Sequence, residues 1–284
     1  MPLFLFITKM NKCKPFVKWV GGKRSLMPQL LKHIPTNFNT YYEPFIGGGA
    51  LFFEIAPNKA IIGDLNKELV NTYNCLKDPV KMAKICQELN LCEEQHSKDF
   101  FYEIRSWDRN KELFNTMPDY KRATRFIYLN KACFNGKYQV NSKDEFNSSF
   151  NYKDKVNTYD KQNLENITTY LSNNDITILS GDFTDIVSNA NKGDFVYFDP
   201  PYDTDTKVFN KYTSKKFDKE EQKRLASVYK ELANKGCYVM LSNHNTKLVN
   251  ELYKDFNIYV VKAKRCINPL SEQKQVDEVI ITNY

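Results

Sequence analysis

Short apolar runs alternate with helical periods over much of this chain. Residues 41–45 read as a strand, followed by Gly47, Gly48 and Gly49 and by a helix that begins at Ala50 and stops near Pro57. Residues 60–62 form another apolar run ending at Asp64, and 65–76 return to helical spacing. Further strands are predicted at 175–179, 195–198, 238–241, 256–261 and 278–282. Between them, 218–234 place Leu225, Val228, Tyr229 and Leu232 on one face of a long amphipathic helix. Strands alternating with helices predict an α/β fold, a parallel-type sheet covered by helices on both faces.

The middle of the chain breaks this rhythm. Helical spacing at 80–89, 98–107 and 120–132 gives way to 136–160, rich in Asn, Ser, Lys and aromatic residues, with an alternation at 137–140 that reads as a hairpin. The expected organisation is a sheet domain of residues 10–77 plus 161–284, interrupted by an inserted, mostly helical domain at 78–160. Residues 1–9 read as a disordered extension upstream of a biological start at Met10.

Composition narrows the class. The 284 residues are 42% hydrophobic and 26% charged, enough apolar content for a sizeable core. The opening run MPLFLFI is short and has no basic flank, so it does not read as a secretion signal. No segment is long and apolar enough for a membrane span, which places the chain away from the membrane. Seven cysteines without a C-x-x-C pair suggest neither a zinc cluster nor a disulfide framework, and they fit a reducing cytosol.

The net charge of +7 is unevenly spread. Residues 1–33 carry seven Lys/Arg and no acid, residues 121–155 carry eight against three, and 161–284 balance at seventeen of each sign. Two basic segments on a neutral body suggest a site for a polyanion, although a solvated surface would look similar.

Two motifs carry chemistry. Residues 43–53 place a glycine loop between strand and helix, where backbone amides approach a ligand closely, and Asp64 ends the next strand, where a carboxylate can accept bonds from ribose hydroxyls. The third glycine of a dinucleotide fingerprint is missing, its place being taken by Phe52. The second motif, Asp199-Pro200-Pro201-Tyr202, puts a carboxylate, a stiff turn and a stacking ring at the carboxyl end of a core strand.

Asp-Pro-Pro-Tyr is the signature of the DNA amino-methyltransferases. With Lys18-Trp-Val-Gly-Gly-Lys23 and the segments 43–53, 61–74, 128–141, 181–202 and 238–243, the chain resembles the DNA adenine methyltransferase (Dam) family over most of its length. The order of glycine loop, insertion and Asp-Pro-Pro-Tyr is that of the α group, whose insertion is the target-recognition domain. The resemblance implies a Rossmann-like methyltransferase sheet, S-adenosylmethionine as methyl donor, no metal, and N6 of an adenine flipped out of double-stranded DNA as acceptor. It places Trp19, Lys23, Phe45, Gly47, Gly49, Asp64 and Asp199 at the cofactor, and Asp199, Pro200 and Tyr202 at the reacting base. Both Asp199 and the Pro200 carbonyl are acceptors suited to the amino hydrogens.

For DNA, the resemblance points to Lys18, Phe134, Asn135, Lys137, Gln139 and Asn141, with Phe134 inserted in the duplex and Lys18 reading a base before the target adenine. Arg122 and Arg125, interleaved with aromatic residues, fit phosphate contacts. Members that read GATC carry an arginine at the position of Gln139 and Val-Pro at Ser148-Ser149, so a guanine before the methylated adenine is expected with a different downstream sequence. The resemblance further implies a monomer acting in a prokaryotic or phage-infected cytoplasm at the nucleoid, with a restriction endonuclease as a functional partner that it does not touch. N4-cytosine transfer, a nicotinamide-dependent dehydrogenase and a catalytically inert DNA-binding relative stand as alternatives. His244 reads as a loop residue without chemistry.

Overall fold

Alternate residues of a strand face opposite sides of its sheet, and here both sides are apolar. Tyr41, Phe195, Tyr197, Met240 and Ile280 enter one buried cluster, while Tyr42, Val196, Phe198, Val239, Leu241, Val279 and Ile281 enter another. In the computed structural model, which describes residues 12–203, 217–265 and 274–284, the strands are β1 (Tyr41–Glu43), β2 (Lys59–Asp64), β3 (Asp175–Ser180), β4 (Phe195–Phe198), β5 (Tyr238–His244), β6 (Asn257–Arg265) and β7 (Lys274–Thr282). They form one sheet in the order β3-β2-β1-β4-β5-β7-β6. The first five strands are parallel, and β7 lies antiparallel between β5 and β6. The α/β class and every expected strand are present; the antiparallel edge is a feature that periodicity alone does not carry.

Helices cover both faces. In chain order they are α1 (Met27–Leu30), α2 (Ala50–Ile55), α3 (Lys67–Lys77), α4 (Pro79–Glu94), α5 (Lys98–Ser106), α6 (Lys111–Thr116), α7 (Asp119–Ala132), α8 (Lys161–Asn173), α9 (Phe183–Ile186), α10 (Lys219–Asn234) and α11 (Lys247–Leu252). Caps account for several boundaries. Asn66 accepts from the amides of Glu68 and Leu69, so α3 starts after Asn66 rather than at Leu65, and Asp78 accepts from Val80 and Lys81 to open α4.

Residues 79–160 contribute no strand to the sheet. Their helices pack on α3 and α8, and Leu89, Phe101, Phe126 and Phe146 share one hydrophobic cluster with Phe52, Leu76 and Tyr170 of the sheet side. The expected hairpin at 137–140 is reduced to two antiparallel bridges, Cys133 with Phe150 and Val140 with Phe146. Two asparagines strap the amino-terminal segment onto these helices. Asn130 of α7 accepts from the Lys18 amide and donates to its carbonyl, both at 2.8 Å, and Asn163 of α8 does the same for Lys14 at 2.8 and 2.9 Å. The expected extension at 1–9, Met10 and Cys266 lie outside the described residues.

Candidate active site

Strand order reverses between β1 and β4, and the loops leaving their carboxyl ends diverge to open a crevice, where α/β sheets bind ligands. Four carboxyl side chains stand at or just beyond this edge: Glu43 on β1, Asp64 on β2, Asp182 after β3 and Asp199 after β4.

The β1–β2 side is built around the glycine loop. Asp64 accepts from the Gly47 amide at 3.1 Å and the Asn66 amide at 2.9 Å, and burial pushes its carboxyl up to about 6 despite these bonds. Gly47 has φ of +46°, and a Cβ there would lie 2.6 Å from the Trp19 ring, so both backbone conformation and contact require glycine. The Trp19 ring also packs on Tyr138, stacked at 5.7 Å, and on Phe126 at 6.2 Å. Gly49, also at positive φ, opens α2, and the Tyr73 hydroxyl below it donates to the Gly47 carbonyl at 3.1 Å. Phe45 packs on the opposite side of the sheet among Phe183, Phe198 and Phe217, with centroids 5.4 to 6.3 Å away. Asp182, which sequence reasoning did not single out, is gripped by both terminal nitrogens of Arg224 at 2.9 and 2.7 Å, which draws its carboxyl down to about 2.

The β4 side holds Asp199. Leu241 pairs with Phe198, which sets Ser242 beside Asp199, and the serine hydroxyl donates to it at 3.1 Å. The buried Lys23 ammonium lies 2.7 Å from the same carboxylate oxygen, donates to the Gly21 carbonyl at 2.5 Å, and sits 4.7 Å from the centre of the Tyr202 ring. Burial raises Asp199 from its ordinary place in the carboxylate range, and Lys23 and Ser242 oppose that rise. Glu43 is raised well above that range by burial and the nearby Asp199 charge, although the Tyr41 hydroxyl donates to it at 2.7 Å. A nitrogen donor therefore fits at hydrogen-bond distance from Asp199 while lying over the face of Tyr202.

The turn carrying these groups is held by residues that sequence reasoning missed. Gln222 of α10 donates to the Pro201 carbonyl at 2.9 Å and accepts from Asn243 at 3.1 Å, and Asn243 accepts from the Asp203 amide at 2.9 Å. Both amides are buried. The available signal was spacing, since Gln222 shares the apolar stripe of Leu225, Tyr229 and Leu232. His244 is the last residue of β5 rather than a loop residue. Its Nδ1 lies 2.7 Å from the Asp203 carbonyl oxygen, and its ring packs edge-on to Tyr202 at 4.9 Å. Among the described residues, no three His, Cys, Asp or Glu side chains are grouped as metal ligands would be.

The family model for D12 class N6 adenine-specific DNA methyltransferases matches residues 19–267, spanning both halves of this site. The chain belongs to that family. It is 44% identical to the type II methyltransferase M1.LlaDCHI of Lactococcus lactis subsp. cremoris over 95% of each chain. It is 37% identical to the type II methyltransferase M.MjaIII of Methanocaldococcus jannaschii over 95% of this chain and 99% of that one. Identity to the DNA adenine methylase of Escherichia coli K12 is 30% over 95% of each. The rRNA methyltransferase AviRa of Streptomyces viridochromogenes superposes with a TM-score of 0.36 and 12% identity over 95% of this chain and 90% of that one, a likeness too slight to bear on fold or substrate. The dehydrogenase and N4-cytosine alternatives fall with the family match.

In this adenine-specific DNA methyltransferase, Lys18 and the 134–141 loop lie side by side. Asn130 donates also to the Gly136 carbonyl at 3.3 Å, and a Cβ on Gly136 would meet the Lys18 side chain at 2.4 Å. Lys18, Asn135 and Lys137 are exposed, as is Phe134 at 56%. Gln139 is half-buried, its carbonyl accepting from the Asn147 amide at 2.8 Å. Asn141 has its side chain engaged in the following turn, accepting from the Lys143 and Glu145 amides and donating to the Glu145 carboxylate at 2.7 Å. Ser148 is buried and donates to the Lys137 carbonyl, and Ser149 is exposed.

Arg122 and Arg125, expected as phosphate contacts, are both engaged in ion pairs within the protein. Arg122 is paired with Glu68, and Arg125 is buried against Asp108 at 2.8 Å. Both belong to the packing of α7, where an apolar surround makes a carboxylate partner necessary. No helix among the described residues is long and apolar enough to cross a membrane.

Proposed function

We propose that this methyltransferase moves the methyl group of S-adenosylmethionine to N6 of an adenine flipped out of double-stranded DNA. The observation that carries the reading is the Asp199 carboxylate beside the Tyr202 face, with a nitrogen already seated between them at 2.7 Å from the carboxylate.

The crevice fits the donor. Asp64 is a largely buried carboxylate suited to two ribose hydroxyls, the Gly47–Gly49 loop has no side chains to block approach, and Trp19 supplies an aromatic wall. Lys23, Phe45 and Asp199 complete the set assigned to it. When bound, S-adenosylmethionine supplies an electrophilic methyl group on a sulfonium. The protein's own part lies at the acceptor. Adenine N6 is a weak nucleophile because its lone pair is delocalised into the ring. Asp199 and the Pro200 carbonyl accept its two hydrogens, pulling nitrogen toward tetrahedral geometry, and Tyr202 stacks on the base. The N6 proton becomes acidic only after nitrogen turns positive, so attack needs no prior general base. Lys23 yields its place on Asp199 as the base enters.

Residues 78–160 serve as the target-recognition unit, with Lys18, Phe134, Asn135, Lys137, Gln139 and Asn141 facing DNA. The type II names of the Lactococcus and Methanocaldococcus relatives support a place beside a restriction endonuclease that shares the site without physical contact. The enzyme works as a monomer in a prokaryotic or phage-infected cytoplasm.

The test is incubation with methyl-labelled cofactor and unmethylated genomic DNA, followed by single-molecule sequencing. N6-methyladenine confined to one short motif supports the reading, and Asp199→Ala should lower the rate by about a hundredfold or more. Cofactor binding without transfer to any DNA would sink it.

A further inference from the structure

Among the described residues, Glu278 is a buried carboxylate beside the site to which the proposed chemistry gives no role. It is buried at 4% exposure on β7, opposite His244 of β5 in the antiparallel register, and so faces the site from a strand outside both motifs. The Tyr202 hydroxyl donates to its Oε2 at 3.0 Å. Burial and the charges of Asp199 and Glu278 hold the Tyr202 phenol well above its ordinary value, so it remains a proton donor.

Tyr202 is the end of a turn whose backbone is fixed by Gln222 and Asn243, and its phenol meets the Ser242 hydroxyl as well as Glu278. The His244 edge packs against that ring at 4.9 Å, and the Lys23 ammonium covers a face at 4.7 Å. Lys23 must leave that face before a base can stack, which removes one of the contacts orienting the ring. The bond from the hydroxyl to Glu278 lies at the far end of the ring and persists. The hydroxyl oxygen lies on the axis about which the ring turns, so a charge-assisted bond there fixes the position of the ring tip, while the His244 edge sets the plane.

We propose that Glu278 is a positioning residue for base stacking: it anchors the tip of the Tyr202 side chain, and so the place where the flipped adenine meets the ring, acting through the phenol hydroxyl. The inference rests on the reading of Tyr202 as the stacking ring. Its energetic scale is that of a hydrogen bond to a charged group, which corresponds to a loss of about tenfold or more when the bond is deleted.

The experiment is a double-mutant cycle on the full-length enzyme, read as single-turnover methylation rate and KM for a duplex carrying the mapped site, with melting temperature as a control. Y202F and E278L both delete the Tyr202–Glu278 bond, and Y202F also removes the contact of the phenol with the Ser242 hydroxyl. Each should lower kcat/KM by about tenfold or more, the double variant should be no worse than Y202F, and E278Q, which keeps an acceptor, should recover most of the E278L loss. Additive losses in the double variant overturn the inference, as does an E278Q no better than E278L. Y202F does not disturb β7, so a wild-type Y202F overturns it even where E278L fails to fold. Y202A separates the two readings: if it too is wild type, the stacking role fails, and if it is impaired while Y202F and E278L are not, only the role of Glu278 fails.

Discussion

Two carboxylates at neighbouring strand ends are driven in opposite directions by their surroundings. Asp182 meets the Arg224 guanidinium and titrates near 2, whereas Asp64 is buried against backbone amides alone and titrates near 6. A raised folded value means that the folded protein holds this proton more tightly than the unfolded chain. The stability contributed by Asp64 therefore falls as pH rises from about 4, the unfolded value, to about 6, and is level above. On the proposed role of Asp64 at the ribose, cofactor binding runs the other way, because two hydroxyls need an ionised acceptor. The dissociation constant for S-adenosylmethionine should be flat above pH 6 and should rise about tenfold for each unit below it. Asp64→Asn should bind weakly and without that pH dependence. Calorimetric titration between pH 5 and 8 measures both, and a wild-type affinity unchanged down to pH 5 would remove Asp64 from the cofactor site.

At the scale of elements, α7 shows why basic residues mislead when read singly. Arg125 donates to the carbonyls of Ile104 and Arg105 at 2.9 and 2.8 Å and pairs with Asp108, which in turn accepts from the Phe146 amide at 2.7 Å. One buried pair thus joins α7, α5 and the 133–150 loop. Arg125→Met should cost about 3–5 kcal/mol in urea unfolding, from the Ile104 and Arg105 carbonyls left without a donor and from the loss of one of the two arginines on Asp108, Arg109 remaining at 2.5 Å. Lys18→Ala, by contrast, should leave stability unchanged and weaken DNA discrimination; equal stability for Arg125→Met and wild type would refute the buried-pair account. The strands, α3, α7 and α10 were legible because each carries a strong period, and the glycine loop, Asp64 and Asp199 because each follows an apolar run. Helix α8 was not, although Leu164, Ile167 and Leu171 give it a stripe as regular as that of α3, because its Asn and Thr residues are weak helix formers that read as loop. Gln222, Asn243 and Glu278 were illegible for a different reason. Their role exists only once sheet order brings α10, β5 and β7 to the turn at 199–203, and no local pattern encodes that order.

Across the whole molecule, two basic segments far apart in sequence become one surface. The Asn130 and Asn163 straps lay the segment containing Lys14 and Lys18 along α7 and α8, and Gly136 lets the Lys18 side chain pass against the loop that carries Phe134, Lys137 and Gln139. The same segment continues into Trp19, whose ring is held between Gly47 and Tyr138. On the roles proposed for them, Lys18 at a base and the crevice at the cofactor are neighbours on one short stretch of chain, so recognition and reaction would share a scaffold. Specificity should follow the side chains on that scaffold. Arginine presents a donor fork to guanine O6 and N7, whereas the glutamine amide at 139 pairs one donor and one acceptor, matching adenine N7 and N6. The methylated site should retain guanine before the target adenine and differ from GATC downstream. Gln139→Ala should relax discrimination at one downstream position by about 1–3 kcal/mol, while loss of a phosphate-contacting lysine should weaken binding to all sequences alike and reduce its salt dependence. Sequencing of methylated genomic DNA decides between these outcomes, and full activity on GATC would show that Gln139 does not set the site.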